Sequence, residues 1–128
     1  MAEKIEIGHG SGGLMTHELV QEVFMKHFDN RWLKAEGDSA IVDSTHQKIA
    51  FTTDSYVINP LFFPGGDLGK LAVCGTVNDL AVTGARPSYL TAGFIIDEGL
   101  SLETLENIVK TMKDEADKAG VHIVAGDT

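Results

Sequence analysis

The run "LGKLAVCGTVNDLAV", residues 68–82, decides how the rest of the chain is read. Leu71, Ala72, Val73, Cys74, Val77, Leu80, Ala81 and Val82 fall on nearly every side of a helix with 3.6 residues per turn. The pattern predicts a helix covered on most sides. Into that apolar surface the chain inserts Asn78 and Asp79. A buried aspartate without partners is costly, so Asp79 is expected to be paired, hydrogen-bonded or bound to a cation. A cap on a neighbouring loop satisfies that demand, and so does a ligand role toward magnesium or a nucleotide.

Working outward, "GARP" stops this helix and "SYLTAGFIID" reads as a strand. Ser101 is a suitable N-cap for a surface helix whose inner face carries Leu102, Leu105, Ile108, Val109, Met112 and Ala116. Glu103 and Glu106 lie early in it, Lys113 and Lys118 late, and Gly120 ends it, all in agreement with the helix dipole. "VHIVAG" is the last strand. Upstream, "NPLFFPGGD" is a loop by its prolines and glycines, with Phe62 and Phe63 either plugging the core or serving a subunit contact or pocket lid. Two β-rich runs, near residues 40–43 and 48–53, flank "STHQ" as a hairpin. Residues 14–28 place Leu19, Val20, Val23, Phe24 and Phe28 at helical spacing, and "KIEI", residues 4–7, alternates as a short strand. Hairpin-linked strands followed by helices predict an α+β domain, a mixed or antiparallel sheet with helices on one face. No internal repeat or linker divides residues 1–128, which read as one domain.

The N-terminal "IGHGSGG" fits G-x-G-x-x-G through Gly8, Gly10 and Gly13. A dinucleotide site also requires a second strand that ends in an acid about twenty residues on. Here that region is "HFDNRWLKAEGD", with helical residues before Asp29 and no strand to present it. "PGGDLGKL" fails as a Walker A loop, because Pro64 replaces its first glycine and Leu71 its Ser or Thr. Residues 8–13 therefore read as a glycine hinge or as a phosphate-contacting loop.

Three more aspartates stand at element ends: Asp38 in "EGDSA", Asp54 in "FTTDS" and Asp127 in "AGDT". Each alone suits a turn. Together with Asp79 they supply hard oxygen ligands of the kind that hold Mg²⁺ beside phosphates. The five histidines include no H-x-x-x-H pair, no G-x-S-x-G elbow occurs, and Ser11 in its glycine loop is a weak nucleophile candidate. Cys74, the single cysteine, reads as a core residue and excludes both an internal disulfide and a cysteine-rich zinc site.

The net charge of −9 argues against a general nucleic-acid or anionic-membrane surface. It leaves room for an anionic nucleotide held through a divalent metal. Apolar runs are too short to cross a bilayer, and the chain reads as cytoplasmic. The final "GDT" has the look of a turn leading onward, which suggests a fragment of a longer protein.

The segment "FTTDSYVINPLFFPGGDLGKLAVCGTVNDLAVTGARPSYLTAGFIIDEGL", followed by "VAGDT", resembles the HypE family of hydrogenase maturation proteins. More broadly it is similar to the N-terminal ATP-binding domain shared with aminoimidazole ribonucleotide synthetase, selenophosphate synthetase and thiamine-monophosphate kinase. The resemblance spans essentially the whole chain. It implies an α+β domain whose sheets pair into a barrel in a homodimer, with ATP at the barrel's edge. Asp38, Asp54, Asp79 and Asp127 match the acidic positions around Mg²⁺ and phosphates. Gly8, Gly10, Ser11, Gly12 and Gly13 match a mobile segment over the nucleotide, and Asn78 matches a polar position beside it. The implied reaction is ATP-dependent dehydration of a carbamoyl group on the sulfur of a C-terminal cysteine, giving a thiocyanate whose cyanide goes to the iron of [NiFe]-hydrogenase. The implied partners are the carbamoyltransferase and scaffold proteins of that process. The chain carries no such terminal cysteine, so turnover by these residues alone is not expected; a dimerisation or docking module without nucleotide affinity is the alternative, as is a related kinase or synthetase domain.

Overall fold

The computed structural model describes residues 3–44 and 48–128. Its centre is an 18-residue helix, Leu102–Ala119 (α4 in chain order). Ser101 caps it, its Oγ accepting from the Thr104 N–H at 3.1 Å, and Gly120 ends it with φ +69°. The six residues expected on its inner face are the six that are buried. Period alone selected them, because one apolar stripe is all this helix has to bury.

The helix at residues 14–28 packs on one side of α4. It comprises α1 (Leu14–Leu19), a π-helical stretch (Val20–Met25) and α2 (Lys26–Phe28). Leu19, Val23, Phe24 and Phe28 are buried along it. On another side lies α3 (Leu68–Ala81). Gly69 lets these two helices close up, since a Cβ there would collide with the carbonyl oxygen of Ile108. Before α3, β1 (Phe62–Phe63) and β2 (Gly66–Asp67) form a small antiparallel hairpin. Its turn is Pro64–Gly65, with φ +93° at Gly65, the combination a type II turn requires.

β3 (Tyr89–Gly93), α4 and β4 (His122–Asp127) make a βαβ unit with parallel strands. The register runs from Tyr89 opposite His122 to Gly93 opposite Asp127, with a slip between Leu90 and Thr91. The extra residue is Val124. A bulge there explains why Ile123 and Val124, adjacent in a strand, are both buried.

Several expectations are corrected. The described parts of the expected hairpin, residues 40–44 and 48–58, belong to no strand, and its turn lies outside the described residues. Ile41, Ile49, Phe51 and Val57 are exposed along it. Alternation reports that a segment has an apolar face; it does not supply the neighbour. Among the described residues the fold is thus mixed α/β with two small two-stranded sheets, one of them parallel, in place of a hairpin-built sheet. "KIEI" contributes one bridge, Lys4 to Ser101, before the chain turns into a 3₁₀ segment at Ile7–Gly10. Phe62 and Phe63 are exposed and do not plug the core; their neighbour Leu61 packs against it. Finally, α3 is covered on one face only. Gly69 and Val73 are buried, while Leu71, Val82, Asn78 and Asp79 are exposed. Among the described residues, no helix is long and apolar enough to cross a membrane.

Candidate functional site

Asp79 sits on the open face of α3, and its carboxyl is hydrogen-bonded to that of Asp54. That bond first, and then repulsion between the two carboxylates, holds Asp79 above the ordinary aspartate range. Burial was expected to be the reason Asp79 needs a partner. The partner exists, yet the cause is proximity of like charge. Tyr56 stands two residues from Asp54, and its hydroxyl donates toward Asp54 Oδ2 at 3.4 Å. Its ring tip lies over Gly75, one helical turn before Asp79.

The glycine loop is built from its own hydrogen bonds. The Glu6 N–H donates to His9 Nδ1 at 2.9 Å, and His9 is 3% exposed. Ser11 Oγ donates to the Gly8 carbonyl at 2.8 Å, and the Gly12 N–H donates to Thr16 Oγ1 at 2.9 Å. Gly12 has φ +77°, which glycine adopts without strain. Gly10, Ser11 and Gly12 form one rim of a cavity of about 420 Å³, and Asp127 and Thr128 belong to the same lining. Its floor is apolar, with Phe24, Phe94 and Ile123.

The sequence-selected residues therefore fall into two groups. Gly10, Ser11, Gly12 and Asp127 share the cavity, whereas Asp54 and Asp79 pair along α3 and do not line it. Gly8 and Gly13 flank the loop, Asn78 is exposed beside Asp79, and Asp38 is exposed past the 3₁₀ turn at Leu33–Ala35. Among the described residues, no three His, Cys, Asp or Glu side chains come together as one metal cluster. The chemistry of the Asp54–Asp79 pair nonetheless suits a hard divalent cation. Two adjacent carboxylates share a bond that one cation would replace, and Mg²⁺ is commonly held by one or two carboxylates with phosphate oxygens and water completing its shell.

One acidic residue was overlooked. Asp67 is 6% exposed; its Oδ1 accepts from the Lys70 N–H at 3.0 Å, and its Oδ2 accepts from the Thr111 hydroxyl at 2.7 Å. It caps α3 and ties it to α4. An aspartate immediately before a helical pattern is the signal that identifies such a cap. Cys74 is half-buried on α3, its thiol bonded to Glu115, with burial and then that carboxylate raising its pKa. It is a protonated packing group, less enclosed than the expected core position.

Comparison with known proteins matches the family described as AIR synthase related protein, N-terminal domain, over residues 36–128. The chain belongs to this family. It is 51% identical over 129 residues to the carbamoyl dehydratase HypE of Escherichia coli K12, covering 97% of this chain and 38% of that protein. It is 49% identical to HypE of Azotobacter vinelandii, covering 97% of this chain and 36% of that one. The chain thus spans under two-fifths of the length of these relatives. A crystal structure of hydrogenase maturation protein HypE in complex with ATP superposes with TM-score 0.92 at 51% identity, covering 95% of this chain and 36% of that one. A HypE–HypF complex matches with TM-score 0.59 at 53% identity, over 86% of this chain and 35% of that one. Among the described residues, no strand lies between residues 14–28 and Phe62, so the glycine loop lacks the acid-bearing second strand of a dinucleotide fold.

Proposed function

We propose that this chain is the N-terminal ATP- and Mg²⁺-binding domain of a HypE-like carbamoyl dehydratase. The observation that carries the reading is the Asp54–Asp79 pair, standing on a fold that a HypE–ATP structure matches with TM-score 0.92. Asp54 and Asp79, with Asn78 beside them, hold the metal–phosphate end of the nucleotide. Asp38 and Asp127 complete the acidic surroundings, and Gly8, Gly10, Ser11, Gly12 and Gly13 bring backbone N–H groups to the phosphates. Bound Mg²⁺ supplies charge neutralisation for the phosphates. In phosphoryl transfer the protein's own contribution is to position groups and offset charge, which these residues suit.

The wider reaction follows from the same reading. An amide oxygen is a poor leaving group, and phosphorylation makes it a good one. Dehydration of an S-carbamoyl group on a C-terminal cysteine then gives the thiocyanate that supplies cyanide to [NiFe]-hydrogenase. The proposed partners are a second copy of the chain and the carbamoyltransferase and scaffold proteins of hydrogenase maturation, in the cytoplasm. The exposed apolar residues Ile41, Ile49, Phe51 and Val57 support pairing between copies into a barrel. Thermal unfolding tests the reading. A ligand present at a hundredfold its dissociation constant adds about 2.7 kcal/mol of stability, so Mg-ATP should raise Tm by several degrees and ATP with EDTA should not. An unchanged Tm at millimolar Mg-ATP would favour the docking-module alternative.

A further inference from the structure

We infer that Tyr56 is a positioning residue for Asp54, and that Gly75 is the seat that makes this positioning work. This rests on the reading of Asp54 and Asp79 as the metal–phosphate end of the site.

Four residues meet in two pairs. On a helix, residues i and i+4 share a face and are separated by about 6 Å along the axis. Gly75 and Asp79 are such a pair on α3, and Asp54 and Tyr56 stand two residues apart on a segment that belongs to no helix or strand. The structure joins them as two rungs, Asp54 to Asp79 and Tyr56 to Gly75. The chain direction from Asp54 to Tyr56 thus runs opposite to that from Gly75 to Asp79.

The second rung depends on glycine. A Cβ on residue 75 would lie 2.9 Å from Tyr56 Cζ and 3.2 Å from Cε1, and closer still to the hydroxyl oxygen. Any side chain there displaces the ring. The Tyr56 hydroxyl also reaches back to Asp54 Oδ2, so the residue that fills the seat touches the carboxylate it sets. The segment carrying Asp54 belongs to no strand, and the Tyr56 contact is therefore a local constraint on where that carboxylate stands.

The test traps the first rung while the second is altered. In a Cys74→Ser background, Asp54→Cys with Asp79→Cys should form a disulfide readily under mild oxidation. Adding Gly75→Ala should slow trapping about tenfold, since a displacement on the order of 1 Å is enough to spoil alignment. Adding Tyr56→Phe to that variant removes only the nearest atom; ring carbons Cζ and Cε1 stay 2.9 and 3.2 Å from the new methyl, so the rate should recover in part at most. Tyr56→Ala, which empties the seat without crowding it, should slow trapping as well. Equal rates in Gly75→Ala, Tyr56→Ala and the parent would overturn the proposal. So would a Tyr56→Ala variant, folded by circular dichroism, that traps at the parent rate. A parallel Mn²⁺ titration, read by loss of the free-ion electron paramagnetic resonance signal, uses the chain with both aspartates intact. Weaker Mn²⁺ binding in both Gly75→Ala and Tyr56→Ala supports the positioning role at the level of the ligand. Seat-dependent trapping in a chain that binds no Mn²⁺ would leave Tyr56 as the positioner of Asp54 and overturn the metal reading alone.

Discussion

The Asp79 carboxyl on α3 is hydrogen-bonded to the Asp54 carboxyl, and this contact raises the Asp79 pKa above the ordinary aspartate range. The folded chain therefore retains a proton that the unfolded chain has released. Between the unfolded and folded pKa values, stability falls as pH rises, and the loss is complete above the folded value. Asp79→Asn keeps a donor toward Asp54 at every pH. In metal-free buffer it should remove this decline and melt above the parent at pH 7. Melting curves across the acidic range check it, and a variant that melts lower at neutral pH would contradict like-charge proximity as the cause.

Asp67→Ala removes an N-cap and a cross-helix hydrogen bond together. Losing a cap costs about 1 kcal/mol, and losing a hydrogen bond to a charged acceptor about 1.5–3 kcal/mol; the half-buried Thr111 hydroxyl keeps the Asn107 carbonyl as a partner. A loss of about 2–4 kcal/mol in urea unfolding is expected, with Asp67→Asn retaining part of it. Thr111→Val should lose the cross-helix portion alone.

Gly69→Ala reverses an ordinary rule. In an exposed helix interior, alanine for glycine stabilises by about 1 kcal/mol. Here the added Cβ meets the Ile108 carbonyl oxygen, which is backbone and cannot rotate away. The variant should lose about 1–3 kcal/mol by overpacking. A neutral or stabilised Gly69→Ala would show that α3 and α4 do not close up at this point.

Glu106 on α4 accepts from Lys26 and His27, and those two bonds, Lys26 first, lower its pKa. A depressed carboxylate contributes stability above its unfolded pKa and loses it as pH falls through the folded one. The group is substantially exposed, so Glu106→Gln should cost under about 1 kcal/mol at neutral pH and less in high salt.

The sequence was most legible where one element contains its own explanation. Ser101, Gly120 and six apolar positions define α4 with no knowledge of its neighbours, and the strands on either side of it follow. Residues 40–43 and 48–53 were misread because a strand is a relation between two segments, and alternation around Ile41, Ile49 and Phe51 describes only one of them. α3 was misread in a related way. Its apolar surface implied cover on most sides, and within this chain α4 covers the Gly69–Val73 side alone. For the site, an aspartate in an apolar helix pointed to Asp79 needing a partner. Nothing in the spacing identified Asp54 as that partner, since the two meet through tertiary packing. Asp67 lies inside the failed Walker pattern, and its place before Leu68 is the signal that marks a cap.

Isothermal titration of the chain with Mg-ATP, beside Asp79→Asn, tests the central claim most directly. The account predicts saturable heat for the parent at nucleotide concentrations up to millimolar and clearly weaker binding for the variant, with both chains folded by circular dichroism. No heat from a folded parent at millimolar Mg-ATP, or equal binding by Asp79→Asn, would contradict it.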